Sequence, residues 1–348
     1  MPRQFSRRSV LQLTALTPML RPLLAQIQSA NAAPSVVSLT RGESRRTNVF
    51  EALTAIDQQI QPVLNTKKSV AIKVNNVSTV NQLAATHADS IHGILDYLAP
   101  RFKGPVYIVE SAADDTLEGF DNFKYAQLVA DRKPQDVELI DLNREAKFKV
   151  VAMLDYDLHA KPARMAARLF DPKTYIFCAS MLKTHNVVVA SLGVKNMALG
   201  APLHSLRGEP QWNDKRVVHN GLRQTNYNIF LAAEALKPFW GTSVIDGYEG
   251  MEGNGPSMGT PVASRLAIAS TDFVAADRVA VETMGINPEW LGYLRFCSDF
   301  GVGQYDMAKI EVRGEKIAAV QKKYRLHPDI ERELQWMGPM TELPRLVG

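Results

Sequence analysis

Cysteine is scarce in this sequence, which contains two among 348 residues, Cys178 and Cys297. Two thiols cannot supply the four ligands of an iron–sulfur cluster, and neither a CxxC motif nor a Cys–His zinc spacing occurs. We therefore expect no iron–sulfur cluster on this chain. Cys178 lies in the apolar run 175–179, which predicts a buried thiol, while a disulfide to Cys297 stays open.

An excess of charge of one sign is also missing. The formal net charge is +4, but residues 1–32 hold four arginines and no acid, so 36 basic residues face 36 acidic ones in the remainder. A chain with balanced charge gives no indication of the basic surface that binds a nucleic acid. No later run approaches the roughly 18 apolar residues of a membrane span, so we expect none. The 46% hydrophobic content predicts a globular chain with a sizeable core.

The N-terminal segment has the pattern of an export signal. Ser6-Arg7-Arg8-Ser9 is followed by the apolar run 11–20 and then by Ala30-Asn31-Ala32, a small-x-small cleavage site. We predict a twin-arginine signal peptide over residues 1–32, cleaved after Ala32, and a periplasmic mature protein. The alternative is an amphipathic N-terminal anchor. Residues 33–348 are predicted to form a single α/β domain.

Strand and helix patterns alternate along the rest of the chain. Short apolar, β-branched runs occur at 69–74, 106–109, 137–142, 174–179, 243–245 and 265–269. Helical patterns occur at 89–98, 228–236 and 272–284. This alternation predicts an α/β fold with a mostly parallel sheet and helices on both faces. The polar segment between about 197 and 227 lacks periodicity and predicts a long functional loop.

Polar side chains stand where the predicted strands end. The five ends are Lys73-Val74-Asn75-Asn76, Glu110-Ser111, Asp141, Lys183-Thr184-His185 and Asp246-Gly247. In an open parallel sheet, ligands bind in the crevice beyond the carboxyl ends of the strands. Strands also end in polar residues simply because they emerge into water, but five such ends together favour a binding site.

These residue types suit an anionic ligand and proton transfer. We expect Lys73, Asn75 and Asn196, with Gly193 and Asn254 from glycine-rich segments, to bind a small anionic substrate or a cofactor. The predicted catalytic residues are His185, Lys183, Lys195 and Glu110. Histidine titrates near neutral pH, and a desolvated lysine beside another cation acquires a lowered pKa that suits a base or nucleophile.

A second set of side chains suits a metal ion. Asp246, Glu249 and Glu252 follow the fifth strand within a glycine-rich stretch, and carboxylate oxygens are the ligands of hard divalent cations. We therefore expect a divalent metal as one candidate cofactor. No HExxH motif is present, which excludes a zincin site.

The ordered motifs resemble domain-of-unknown-function family 362. They are Ile72-Lys73-Val74-Asn75, Thr86-His87, Glu110-Ser111, Leu182-Lys183-Thr184-His185, Gly193-Val194-Lys195-Asn196, Asp246-Gly247, Glu252-Gly253-Asn254-Gly255-Pro256 and Ala276-Asp277, within about residues 70–315. The resemblance implies an α/β domain, often linked to ferredoxin modules, whose activity is not settled. It also implies a redox or cofactor-delivery partner, although the cysteine runs of a fused ferredoxin are missing here.

The ten-residue spacing of His185 and Lys195 is also similar to the pattern of nickel-pincer lactate racemases. That similarity implies proton or hydride chemistry at the histidine and a cofactor anchored by the lysine. The racemase pattern places another histidine about sixteen positions after the lysine. This sequence has Gln211 there, and the nearest histidines are His204 and His219.

The function that the sequence favours is a periplasmic enzyme that acts on a small anionic substrate with lysine, histidine and carboxylate groups, with or without a metal or another cofactor. The alternative is a non-catalytic periplasmic binding or cofactor-carrier protein. A structural interaction module is a third class, but it gives no reason for lysines and carboxylates to gather at strand ends.

Overall fold

The computed structural model describes residues 34–338, so the predicted signal peptide lies outside the described residues. The strands are β1 Ser35–Arg41, β2 Ser69–Lys73, β3 Val106–Glu110, β4 Val137–Asp141, β5 Phe148–Leu154, β6 Ala160–Ala166, β7 Thr174–His185, β8 Val189–Ser191, β9 Trp240–Glu252, β10 Thr260–Val262, β11 Leu266–Ser270 and β12 Ile310–Gly314.

Helices connect and cover these strands. They are α1 Arg45–Ala55, α2 Asp57–Leu64, α3 Ala88–Leu98, α4 Thr116–Asn122, α5 Tyr125–Ala130, α6 Leu142–Glu145, α7 Gly193–Gly200, α8 Lys215–Val218, α9 Leu222–Leu236, α10 Phe273–Thr283, α11 Gly292–Asp299, α12 Ile317–Val320 and α13 Ile330–Glu333. Among residues 34–338, no helix is long and apolar enough to cross a membrane.

The main sheet has the strand order β12-β1-β11-β9-β7-β2-β3-β4. Its larger part, from β9 to β4, is parallel throughout, whereas β11 pairs antiparallel with both β9 and β1. β8 and β10 extend β7 and β9 as short antiparallel additions, and β5 and β6 form a separate hairpin. The predicted α/β fold with a mostly parallel sheet is confirmed.

Two hydrophobic clusters cover the two faces of the sheet. On β2, Val70 and Ile72 belong to one cluster, and the intervening Ala71 belongs to the other, as alternation along a strand requires. Helices α1 and α3 supply the first cluster, and helices α7, α9 and α10 supply the second. Each fully buried Val or Ile contributes about 1.5–3 kcal/mol to stability, so this burial fixes the strand register.

Helix α10 begins as its sequence predicts. The Asp272 side chain accepts hydrogen bonds from the backbone N–H groups of Val274 and Ala275, both at 3.1 Å. Gly285, whose φ is +62°, follows the helix end in the left-handed conformation that glycine adopts readily.

Both cysteines are buried and free, and burial raises the pKa of the Cys178 thiol to about 12.

The structure corrects two sequence predictions. Strands β7 and β9 continue past the apolar runs that end at 179 and 245, to His185 and Glu252, because their polar residues also pair within the sheet. The segment 197–227 is not one long loop. It contains the end of α7, all of α8 and the start of α9, whose apolar side chains pack into the core, and the irregular backbone is confined to residues 201–214 and 219–221.

Candidate functional site

A cavity of about 450 Å³ lies where the parallel strands β2, β3 and β7 end. Its polar lining combines residues from the strand ends with residues from α7, α8 and the loops that follow. These residues are Asn75, Asn76, Glu110, Ser111, His185, Asn186, Ser191, Lys195, Asn196, Lys215, Arg216, His219 and Ser257. The structure thus brings together most of the residues that the strand ends predicted.

Lys73 and Glu110 form a buried ion pair at the base of the cavity. The Lys73 Nζ lies 2.6 Å from Glu110 Oε1. Glu110 also accepts the backbone N–H of Asn76 at 2.8 Å and that of Ser111 at 2.7 Å. Because every oxygen of this carboxylate has a partner, Glu110 organises the strand ends rather than offering a free base.

The absence of a side chain at Gly200 makes space for the Lys73 ammonium. A Cβ at position 200 would lie 2.1 Å from the Lys73 Nζ. A side chain there would therefore displace the buried ammonium.

Lys183 lies on β7 and is held by the segment that follows β2. Its ammonium donates hydrogen bonds to the Asn75 side-chain oxygen and, at 3.4 Å, to the Ala84 carbonyl. Burial, together with the positive charge of Lys195, lowers the pKa of Lys183 to about 7. Lys183 thereby fixes the amide of Asn75, which lines the cavity.

Lys195 differs from these two lysines because its ammonium lacks a partner. It stands on α7 and lines the cavity, and it makes no hydrogen bond or ion pair within the described part of the chain. Burial lowers its pKa to about 7. Because this charge on a buried side chain has no protein partner and is open to the cavity, an anion from outside the chain would stabilise it.

The His185 ring is neutral, and its proton position is defined by the backbone. The Val187 N–H donates to His185 Nδ1 at 3.0 Å, which places the ring proton on Nε2. Burial and the nearby Lys195 charge hold the pKa of His185 well below its ordinary value. His185 can therefore act as a hydrogen-bond donor at neutral pH.

His219 lies beside His185 in the same cavity, with ring centroids 5.6 Å apart. Burial and the Lys195 charge lower the pKa of His219 to about 4, so this ring is neutral as well. Neither histidine adds positive charge to the cavity at neutral pH. The positive charge comes from lysine and arginine.

Lys215 and Arg216 complete the cationic lining, and neither was predicted. The Lys215 ammonium donates to the carbonyls of Leu199 and Pro202, both at 2.8 Å, and burial lowers its pKa to about 7. The Arg216 guanidinium makes no hydrogen bond or ion pair with residues 34–338. The adjacent Lys-Arg pair within a polar segment was the signal that could have identified them.

A family model described as "Domain of unknown function (DUF362)" matches residues 70–282, which is more than half of the chain. The chain belongs to the DUF362 family. The resemblance seen in the sequence motifs is confirmed, over a shorter range than the expected 70–315. No curated protein matches this DUF362 chain in sequence.

Two solved structures are similar to the DUF362 chain at low identity. A protein from Thermotoga maritima is 13% identical over 76% of this chain and 60% of its own, with a TM-score of 0.38. The lactate racemase apoprotein from Thermoanaerobacterium thermosaccharolyticum is 14% identical over 77% of this chain and 58% of its own, with a TM-score of 0.41. The chain thus spans less than two thirds of either protein, and neither likeness informs its activity.

The predicted metal ligands do not come together in the DUF362 chain. Asp246 is buried and pairs with Arg45 at 3.0 Å, and Glu252 accepts the backbone N–H of Arg325 at 2.9 Å. Glu249 lines a different, smaller cavity beside Arg45. The prediction of a shared metal site fails because these residues lie along one extended strand, β9, rather than in a loop that could fold around an ion.

Another group of potential ligands lies on the β5–β6 turn. Among residues 34–338, Asp155, Asp157 and His159 have ligand atoms within 4.8 Å of one another, but this group is largely exposed and none of the three lines the cavity.

Two predicted ligand contacts have other roles. Gly193 does not line the cavity, and its N–H donates to Asp277 at 2.8 Å. A Cβ on Gly193 would lie 2.9 Å from that carboxylate, so the glycine allows Asp277 to approach. Asn254 is exposed and outside the lining, although Pro256 and Ser257 of the same loop belong to it.

The remaining predicted contact, Asn196, lines the cavity with an amide that is already engaged. It accepts from Lys73 and donates to the Ala179 carbonyl, both at 3.4 Å.

The donor set that the racemase similarity implies is incomplete. Gln211 is exposed, and its amide donates to the Glu209 carbonyl at 2.7 Å. Gln211 and His204 both line a neighbouring outer cavity of about 810 Å³, whereas His219 lies beside His185. The residues present do not fit that cofactor, and we assign no step to it.

Proposed function

We propose that the cavity is the active site of an enzyme that binds a small organic anion and transfers a proton within the bound molecule. The observation that carries the proposal is Lys195, a buried ammonium that faces the cavity without a partner. Buried charges in proteins are normally paired, so a site that leaves one unpaired is prepared for an incoming opposite charge.

The charge balance of the lining supports an anion. Lys195, Lys215 and Arg216 line the cavity, and the one carboxylate in the lining, Glu110, is neutralised by Lys73. Lys195 is buried, so its charge is screened less by water than that of an exposed lysine, and a carboxylate or phosphate group gains more beside it. The Asn75 amide nitrogen, which has no partner among the described residues, adds a neutral donor.

The side chains of the cavity take different roles in the proposed reaction. Lys195, with a pKa of about 7, is populated in both protonation states near neutral pH, which suits an acid, a base or a nucleophile. His185 donates from Nε2 to an oxygen on which negative charge develops. Lys73, Glu110 and Lys183 are engaged with one another and with neighbouring amides, so we assign them to positioning.

The proposed location is the periplasm, because the N-terminal segment has the twin-arginine pattern. Fractionation of cells that express the full chain, with a variant in which Arg7 and Arg8 are replaced by lysine, tests this part separately. Export of the unaltered chain and retention of the variant would support it. Equal distribution of both would contradict it.

Solvent deuterium exchange tests the activity. A panel of small 2-hydroxy, 2-amino and 2-oxo acids is incubated with the protein in heavy water, and loss of the C–H signal is followed by NMR. We expect exchange for at least one member, with the His185→Ala variant reduced about 100-fold or more in rate and far less in affinity. Tight binding without exchange for any member would instead favour the binding or carrier protein.

A further inference from the structure

We propose that Lys195 forms an imine with its substrate, which makes the substrate a small aldehyde or ketone that also carries an anionic group. This inference rests on the proposed function, because it takes the same cavity as the binding site. It adds the reactive atom of the protein and the functional group of the ligand.

The cavity lysines differ in whether their nitrogen is free to react. The Lys73 nitrogen is paired with Glu110 at 2.6 Å, and the Lys215 nitrogen is held by two carbonyl oxygens at 2.8 Å. The Lys183 nitrogen, just behind the lining, donates to Asn75. Of these four, Lys195 alone has no hydrogen bond within the described residues, so its nitrogen can attack without breaking a contact.

Protonation does not block this attack. A lysine in water is almost fully protonated at neutral pH and has no lone pair to offer. Burial lowers the pKa of Lys195 to about 7, so a large fraction of the side chain is a neutral amine under ordinary conditions. Its neighbours on α7, Val194 and Met197, are fully buried in the hydrophobic core, so the helix that carries Lys195 is packed on one side.

Other cavity groups can hold the anion and the carbonyl oxygen. Arg216, an exposed residue at the rim of the cavity, has no partner among residues 34–338 and can bind a carboxylate or phosphate in the bidentate manner of guanidinium groups. The Nε2–H of His185 and the amide of Asn75 are neutral donors for the carbonyl oxygen. The anion therefore does not have to occupy Lys195 while the carbonyl reacts.

The step balances without an oxidant or a reductant. The neutral Lys195 amine adds to the carbonyl carbon, a C–N bond forms, and one amine proton passes to the carbonyl oxygen. The resulting carbinolamine then loses its hydroxyl group together with the second nitrogen proton as water. The products are an imine and one water molecule, and the anionic group of the substrate is unchanged.

Reductive trapping tests the proposal on the folded full chain. Glyoxylate, pyruvate and glycolaldehyde phosphate are each added with sodium cyanoborohydride, and adducts are located by intact mass and peptide mapping. We expect one adduct per chain on Lys195 for at least one probe, formed at least tenfold faster than on any other lysine. Lactate, which has no aldehyde or ketone group, should give none.

Two variants test whether the adduct is specific to Lys195. Lys173→Met changes an exposed lysine just before β7, at the end of that strand away from the cavity, and this variant should retain the adduct. Lys195→Met should lose it, and a thermal melt shows whether that variant is folded. Peptide mapping of the unaltered chain locates the adduct even if the variant does not fold.

Two results would overturn the imine. One is labelling spread evenly over surface lysines, and the other is the absence of an adduct with all three probes. If anion binding persists in calorimetry while no adduct forms, the imine is wrong and the proposed function stands. If neither binding nor adduct is found, both fail.

Discussion

The carboxylate of Asp277 on α10 accepts the backbone N–H of Gly193 at 2.8 Å and that of Val194 at 3.0 Å. These are the first N–H groups of α7, which lack partners inside the helix. Helix α7 carries Lys195, so a fully buried carboxylate on another element fixes the start of the helix that presents the unpaired ammonium. Asp277 is thus a positioning residue for Lys195.

Asp277→Ala tests this relationship. The change leaves two buried N–H groups without acceptors, and we expect a loss of about 2–5 kcal/mol in the free energy of unfolding. Urea denaturation measures it. Asp306→Ala, which removes an exposed cap that accepts from Ala308, should cost only about 1 kcal/mol. Equal losses in the two variants would contradict the special role of Asp277.

The buried pair of Lys73 and Glu110 should behave differently when one partner or both are replaced. Lys73→Met or Glu110→Gln alone leaves an uncompensated buried charge and should cost about 3–5 kcal/mol. The double variant should recover much of this loss. The exposed pair of Arg295 and Glu289 provides the control, and the same cycle there should give less than about 1 kcal/mol. Additive losses at Lys73 and Glu110 would exclude the coupling.

Anion affinity should depend on pH through Lys195. Sulfate is a suitable probe because its charge does not change near neutral pH. Lys195 is protonated below its pKa of about 7, so sulfate affinity should be highest at lower pH and fall as pH rises through 7. Calorimetry between about pH 5.5 and 8.5 measures this. The Lys195→Met profile should be flatter, and an affinity that rises with pH would be the wrong sign.

Glu333 should make stability depend on pH. It is fully buried, its Oε2 accepts the Val189 N–H at 2.7 Å, and its Oε1 has no hydrogen-bond partner. Burial raises its pKa to about 7, above the ordinary 4.5. The folded state therefore binds an extra proton between about pH 4.5 and 7, and the stabilisation present below that window is lost as pH rises through it.

Replacement of Glu333 by Gln isolates this contribution. Glu333→Gln should flatten the loss between pH 4.5 and 7, which is on the order of 2 kcal/mol, and Glu331→Gln, an exposed neighbour, should leave it unchanged. Chemical denaturation at several pH values provides the comparison. An unaltered slope in Glu333→Gln would assign the pH dependence to other groups.

The sequence allows the larger part of the sheet to be predicted, because β2, β3 and β4 are apolar runs whose length and composition are typical of buried strands. It places Lys183, Thr184 and His185 at the end of β7, but it does not indicate that these polar residues pair with β8 and are buried. Burial of this kind depends on contacts between distant segments, and no local pattern encodes them.

The candidate site was likewise predicted only in part from the sequence. Lys73, Glu110 and His185 were predicted from their place at strand ends, but the pairing of Lys73 with Glu110 depends on how β2 and β3 align. Lys215 and Arg216 begin α8, whose position beside the cavity is set by its packing on β5, β6, α7 and α9. The carboxylates of β9 were misjudged because glycines within an extended strand resemble those of a loop.

Calorimetric titration of sulfate and malonate into the full chain tests most directly whether Lys195 makes the cavity an anion site. The unaltered protein and Lys173→Met should bind at least one of these anions with the same affinity, and Lys195→Met should bind it about tenfold or more weakly. Equal binding by Lys195→Met, or no binding by the unaltered protein, would contradict the assignment of this cavity to an anionic substrate.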